Sequence, residues 1–414
     1  MEKIWKQRVC ILWLISILQL GAGSTAVSAE TKMIIDCTGG LSSGGDTTVF
    51  SGFADYFQKV GATGLAYVVG PCPGFSIDGG DRLTRVGPAE IDGNVKIMNS
   101  QGVYFLNMAF TQSPADGLTI EGSYVYLGYS VSTRNQGNGV SVDKASHVLV
   151  RGGDYSYNAG WAGGFHVSGH SLLEIDSPDP VTIRGNTQTG IWATQSDLTI
   201  NGSTVISDSE KGPGIYLVGG SRAQIGNSTG TPNRIEKNSN GGIQVLENSE
   251  LSLWVCCSNS ANVITRNGKF GVLAGFHSQV TLSGADIYEN SGPGVDVNTG
   301  SQLDFFPGSQ NRIDANGYQM PNPSPGVRVS GNSQAWLRGG EISNDSGPLG
   351  AGNQSPSMYV GLNSSVDFAG VKLGSAAGTS SVNSNGISCD FTSIASSDVP
   401  LNLGTGCILG GRLH

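Results

Sequence analysis

Apolar residues recur along this chain in short alternating runs rather than in helical stripes. A frame Gly-[Val/Ile]-x-[Val/Leu/Ala] opens each unit, as in Gly139-Val140-Ser141-Val142 and Gly190-Ile191-Trp192-Ala193. A serine stands six residues after the first apolar position: Ser146 after Val140, Ser171 after Phe165, Ser221 after Ile215 and Ser249 after Ile243. Ser278, Ser301, Ser333, Ser364 and Ser393 continue the frame, and Ser123 and Ser196 fit it with one residue fewer. A second alternating run follows the serine, as in Val280-Thr281-Leu282, and then Ile-x-x-Asn, as in Ile264-Thr265-Arg266-Asn267. Period-two alternation puts one set of side chains inside and the other in solvent, so each unit predicts three short strands. Asn-x-x-x-Gly leads to the next unit, from Asn135–Gly139 to Asn290–Gly294. Both residues tolerate left-handed backbone, so this segment reads as turn chemistry.

The leading glycines from Gly117 to Gly326 are 22 to 32 residues apart. Coils of that length, closing on themselves and stacking at about 4.8 Å, make an all-β solenoid, a parallel β-helix. About eleven coils give a rod on the order of 50 Å long. The serines then form an internal ladder at one corner, each hydroxyl satisfied by its neighbour. A row of nucleophiles is excluded, because a nucleophile needs one base beside it, not copies of itself. The ends of such a rod require caps. Phe50, Phe53, Ala54, Phe57 and Val60 recur at helical spacing, so residues 46–60 predict a capping helix started by Asp46 or Thr47. The expected organisation is a leader over 1–29, a cap with the first coils over 30–95, β-helix repeats over 96–393 and a closing segment over 394–414.

Composition fits this picture. Of 414 residues, 63 are Gly and only 13% are charged, which suits short strands joined by tight turns. Lys3, Lys6 and Arg8 precede an apolar stretch from Val9 to Leu20 and the run Ala26-Val27-Ser28-Ala29, the pattern of a signal peptide. The stretch is too short to span a bilayer, so a secreted or periplasmic protein is expected, with no membrane span after cleavage. Cleavage removes three basic and one acidic residue and takes the net charge from −9 to −11. Nucleic-acid partners require a basic stripe, so that class is excluded. Six cysteines remain: Cys37, Cys72, Cys256, Cys257, Cys389 and Cys407. Position suggests Cys37–Cys72 and Cys389–Cys407 disulfides, one at each end. The adjacent pair Cys256-Cys257 has no metal-ligand spacing beside it. Asn201, Asn227 and Asn363 match the glycosylation acceptor pattern.

An amphipathic cap, Gly-Ile/Val coils and Asn turns together resemble the secreted right-handed parallel β-helix proteins with a pectate-lyase-like fold, over residues 33 to about 410. That resemblance implies a polysaccharide partner and, if the chain is an enzyme, a polysaccharide lyase or glycoside hydrolase. The group's catalytic runs are absent. Where polygalacturonases carry Gly-His-Gly, this chain has Gly169-His170-Ser171, and it has no adjacent Asp pair. Asp176-Ser177-Pro178-Asp179-Pro180 resembles the epimerase run Asp-Pro-His-Asp only in composition. No cofactor is indicated.

The outward position of the first strand is more informative. From coil to coil it reads Ser141, His166, Trp192, Tyr216, Gln244, Leu273, Asp296, Arg328 and Tyr359. His166, Trp192 and Tyr216 stand in line about one strand spacing apart, a platform on which sugar rings stack. Trp161 enters from the long connector before His166, and Gln244 extends the row. Asp143 and Glu121 lie one outward position further along preceding strands, and His166 with Asp143 is a candidate acid/base pair. In a lyase, His166 is expected to take the C5 proton of a uronate. Aromatic rows also stabilise strand pairing without any ligand, and the alternative function is a noncatalytic surface or matrix protein. A second candidate lies where the turns lengthen, Gly317–Pro325 and Asp345–Pro356, beside Asp296, Arg328 and Tyr359. There Arg328 suits an acidic polysaccharide, Asp296 with Asp314 suits calcium, and Asp296 with Arg328 also reads as a plain surface ion pair.

Overall fold

The computed structural model describes residues 88–342 nearly throughout, with breaks at 228–229, 256–260, 308–310 and 318–323, and parts of 32–86 and 357–409. Every strand pairing among these residues is parallel, and from Gly64 onward each joins a strand to its counterpart one coil on. Val140 lies opposite Phe165, Phe165 opposite Ile191, and Ile191 opposite Ile215. The register runs on through Ile243, Val272, Val295, Val327 and Met358 to Ile387. This first-strand face holds 13 strands among the described residues. All eleven read from the repeat are present, preceded by Ser76–Asp78 and Val95–Met98, which lack the Gly-Val frame. The apolar members of the frame, such as Val140, Phe165, Ile191 and Ile215, are fully buried.

The other strands merge into one 26-stranded sheet that wraps the remaining sides. Three separate strands per coil is the arrangement in the first coils, as in Val95–Met98, Gln101–Leu106 and Met108–Thr111, and again from Arg222 onward, as in Arg222–Asn227 and Arg234–Glu236. In the coils between, the second and third strands are continuous, as in Tyr124–Thr133, Leu172–Arg184 and Asp197–Ser207. They bend where the register shifts, between Val150 and Gly153 and between Ser177 and Val181. Gly153 and Gly202 turn that corner at φ of 120° and 130°, where a Cβ would also strike Ser130 O and Ser177 O. Later coils turn it with a buried asparagine instead. Asn233 Nδ2 donates to Asn262 Oδ1 at 2.9 Å, and Asn311 stands at the same place in a further coil.

The serine ladder runs unbroken from Ser100 to Ser364. Each serine's backbone N–H donates to the hydroxyl oxygen of the serine one coil on, at 2.9 to 3.3 Å. The hydroxyls do not satisfy one another, as the spacing suggested. They turn back to carbonyls of their own coil, Ser123 to Glu121 O at 2.7 Å and Ser221 to Val218 O at 2.8 Å. One side-chain oxygen thus serves two backbone groups that the corner would otherwise bury unpaired.

Turn asparagines also behave differently from expectation. Asn135, Asn158, Asn186, Asn238, Asn267, Asn290 and Asn316 are buried, and the residue before each carries the left-handed φ. Their carboxamides stack, Asn135 on Asn158, Asn158 on Asn186, Asn238 on Asn267 and Asn267 on Asn290, at 2.9 to 3.2 Å. The leading glycines have ordinary φ as well. A Cβ at Gly242 would lie 2.4 Å from Gly271 O and 2.6 Å from Ile264 Cγ2, so glycine is there for close approach, not for the turn.

The helix expected over 46–60 is corrected at its start, and Asp46, Phe53, Ala54, Phe57 and Val60 lie outside the described residues. Thr47–Phe50 is a strand paired with Lys32–Asp36, and helical residues Asp55, Tyr56 and Lys59 follow it. Tyr56, fully buried, packs edge-on against Phe50 at 5.2 Å. A four-residue Thr-Thr-Val-Phe run, β-branched and aromatic throughout, pairs more readily beside an open strand than it coils. Cys37 and Cys72 form the expected disulfide. The leader, the Cys256-Cys257 pair, Cys407 and the two long turns, apart from Gly317, Ser324 and Pro325, lie outside the described residues. Asn227 is fully buried, so its acceptor match faces the interior.

Candidate functional site

The outward row is real: Ser141, His166, Trp192, Tyr216, Gln244, Leu273, Asp296, Arg328 and Tyr359 pair in successive register. Three of its rings form one cluster with Trp161 of the connector. Trp161 lies 4.5 Å from His166 and 4.6 Å from Trp192, and Trp192 lies 4.5 Å from Tyr216, centroid to centroid. The rings meet edge to face, at 60° to 77°, not as the aligned platform that the spacing implied. Opposed ring quadrupoles favour that arrangement. Trp161 is 53% exposed. It is carried by a connector whose neighbours are fixed: Gly160 N donates to Gly137 O, and Ala162 N donates to Asn138 Oδ1 at 3.0 Å. Trp192 is held by its indole N–H, which donates to Thr194 Oγ1 at 2.9 Å.

Polar groups border the cluster on the side of the earlier coils. Asp143 Oδ1 accepts from Ser168 Oγ at 3.1 Å. Asp116, which the sequence reading passed over, accepts from Ser141 Oγ at 2.6 Å and from Asn138 N at 2.7 Å. It sits in the turn just before a leading glycine, and nothing in its sequence context marks it. No hydrogen bond joins His166 to Asp143 among the described contacts, so the expected pair shares a neighbourhood without direct contact. Burial pushes the His166 imidazole below its ordinary value, against the opposing pull of Asp116 and Asp143. Glu121 is occupied by Lys144 at 2.6 Å and Lys96 at 3.1 Å, and the Lys144 and Lys96 ammoniums hold its carboxyl below the usual range.

Arg328 does not reach the cluster. It is four coils beyond Tyr216, roughly 19 Å at the usual strand spacing, and its guanidinium is bound in a fork by both oxygens of Asp296. Asp314 is bound by Arg312 at 2.8 Å. No group of three metal-ligating side chains occurs among the described residues. A hydrogen-bonded histidine–carboxylate pair does exist on another face, His147 Nε2 with Glu174 Oε2 at 3.0 Å, beside Tyr124. Both are outward residues of second strands, and a scan of that column would have found them.

Residues 92–253 match the sequence family described as a right handed beta helix region. The fold is a right-handed parallel β-helix. The A-module of Azotobacter vinelandii mannuronan C-5 epimerase AlgE4 is similar at 14% identity and a TM-score of 0.41, over 84% of this chain and 91% of that one. Pectate lyase Pel9A is similar at 13% and 0.34, over 83% and 77%. The AlgE6 A-module from the same organism gives 11% and 0.32, over 80% and 90%. No curated protein matches the chain in sequence.

Proposed function

We propose that this β-helix binds a polysaccharide along its first-strand face. Trp161, Trp192 and Tyr216 supply the stacking surface, and Asp116, Asp143 and Gln244 border it as hydrogen-bonding groups. One observation carries the reading: a tryptophan more than half exposed is held against two ring-bearing strands by a hydrogen-bonded connector. Large aromatic surface left in water on a rigid sheet suits the C–H face of a sugar. Trp192→Ala is expected to weaken glycan binding at least tenfold in affinity electrophoresis, while His166→Ala leaves most of it. Unchanged retention by Trp192→Ala overturns the proposal.

Catalysis by His166 is a second reading. Its favouring observation is the imidazole's lowered basicity, which keeps it neutral near pH 7, the state that a general base requires. A noncatalytic rod that binds glycan without cleaving it needs no such group. Product analysis after long incubation with a bound glycan separates the two. An exported protein is the setting that we infer, supported by the Cys37–Cys72 disulfide. Among the described residues no helix is long and apolar enough to cross a membrane.

A further inference from the structure

We propose that the glycan held at the Trp161–Tyr216 cluster is uncharged, a neutral polysaccharide rather than a polyuronate. The inference rests on the binding reading above and concerns the substrate class of the same face. A polyuronate brings one carboxylate per sugar, so a site for it needs cations positioned along the chain. Around this cluster the charges run the other way. Asp116 and Asp143 stand beside His166, and Glu247 is the charged group acting on Tyr216. Lys144, in the coil before His166, and Lys96, three coils before it, both close on Glu121. Arg328, the cation of the row itself, is held by Asp296. Lys211 lies in the turn before Tyr216's strand, next to Glu210. His166 adds no charge at neutral pH, because burial disfavours its imidazolium.

These carboxylates suit a different ligand. Asp143 uses one oxygen on Ser168, and a carboxylate accepts several hydrogen bonds, so it can receive a sugar hydroxyl. Edge-to-face rings offer alternating faces to the C–H surface of an uncharged pyranose, with no cation required. A polyanion on the same surface meets like charges within a Debye length, about 8 Å at physiological salt.

The test compares the full chain with Trp192→Ala on two sets of glycans in affinity electrophoresis at low salt, with calcium and with a chelator. The neutral set is a β-glucan, a xylan, a galactomannan and a galactan; the acidic set is polygalacturonate and alginate. Only binding removed by Trp192→Ala counts, and thermal unfolding checks that the variant is folded. Binding to at least one neutral glycan, tenfold or more tighter than to either polyuronate, is the expected result. Trp192-dependent binding of a polyuronate at equal or greater strength overturns the inference and leaves the binding site standing. Absence of any Trp192-dependent binding overturns both.

Discussion

At position 209 the buried asparagine row is interrupted. Ser209 N donates to Asn238 Oδ1 at 3.1 Å as an asparagine there would, but its own hydroxyl is buried without a hydrogen-bond partner among the described contacts. A carboxamide reaches the neighbouring coil where a hydroxyl falls short. Ser209→Asn is expected to stabilise the protein by about 1 kcal/mol, the net value of a buried hydrogen bond, read as a rise in the urea midpoint. His166 gives a second prediction at this scale. Its folded-state basicity lies below the ordinary 6.5 because of burial, so the unfolded chain takes up that proton first as pH falls. The stability tied to the neutral ring is therefore present above 6.5 and is lost as pH drops below it. An NMR titration of His166 should show a midpoint under 6.5, and Trp161→Ala, which uncovers the ring, should move it upward. Sequence disclosed His166, Trp192 and Tyr216 because strand period two fixes which side a residue faces. Asp116 was invisible, since a turn residue's direction depends on backbone angles that no period reports.

Coils are built from strands whose spacing is set by glycines without side chains to separate them. Gly242→Ala places a methyl against Gly271 O and Ile264. Backbone cannot yield as a flexible side chain does, so a cost of about 1–3 kcal/mol is expected. Hydrogen exchange should report it in the coils on either side of residue 242 before the rest, because coils contact only their neighbours. The serine frame made the first strand and its register legible, since one small residue per unit recurs at a fixed offset. The second corner was not legible in the same way. Its Asn-x-Ile-x-x-Asn pattern, Asn233 to Asn238, Asn262 to Asn267 and Asn311 to Asn316, contains two buried rows, of which the reading saw only the second and took it for a turn. The start of the capping segment misled for another reason: Phe50 fits a helical stripe and a strand equally, and the neighbouring strand decides between them.

Along the whole molecule, stability is distributed coil by coil, and the disulfide guards one end. Cys37 and Cys72 are 35 residues apart, a loop whose closure is worth about 3–4 kcal/mol in chain-entropy terms. Replacing both by serine is expected to loosen the first coils alone. Limited proteolysis should then remove the segment before Ile91 while residues 92–342 resist; simultaneous loss of both would show that the rod melts as one unit. The two polar ladders carry a further consequence, because both point the same way. Serine and asparagine backbone N–H groups donate to side-chain oxygens of the following coil, while each carboxamide Nδ2 also reaches back to a carbonyl of the preceding one, as Asn238 does to Ile206 O. A rod severed between two coils thus leaves the ladders' backbone N–H groups on one broken surface and the side-chain oxygens that received them on the other, so the two surfaces differ. The fragments match in a single orientation, head to tail, and two copies of the same half have no corresponding fit.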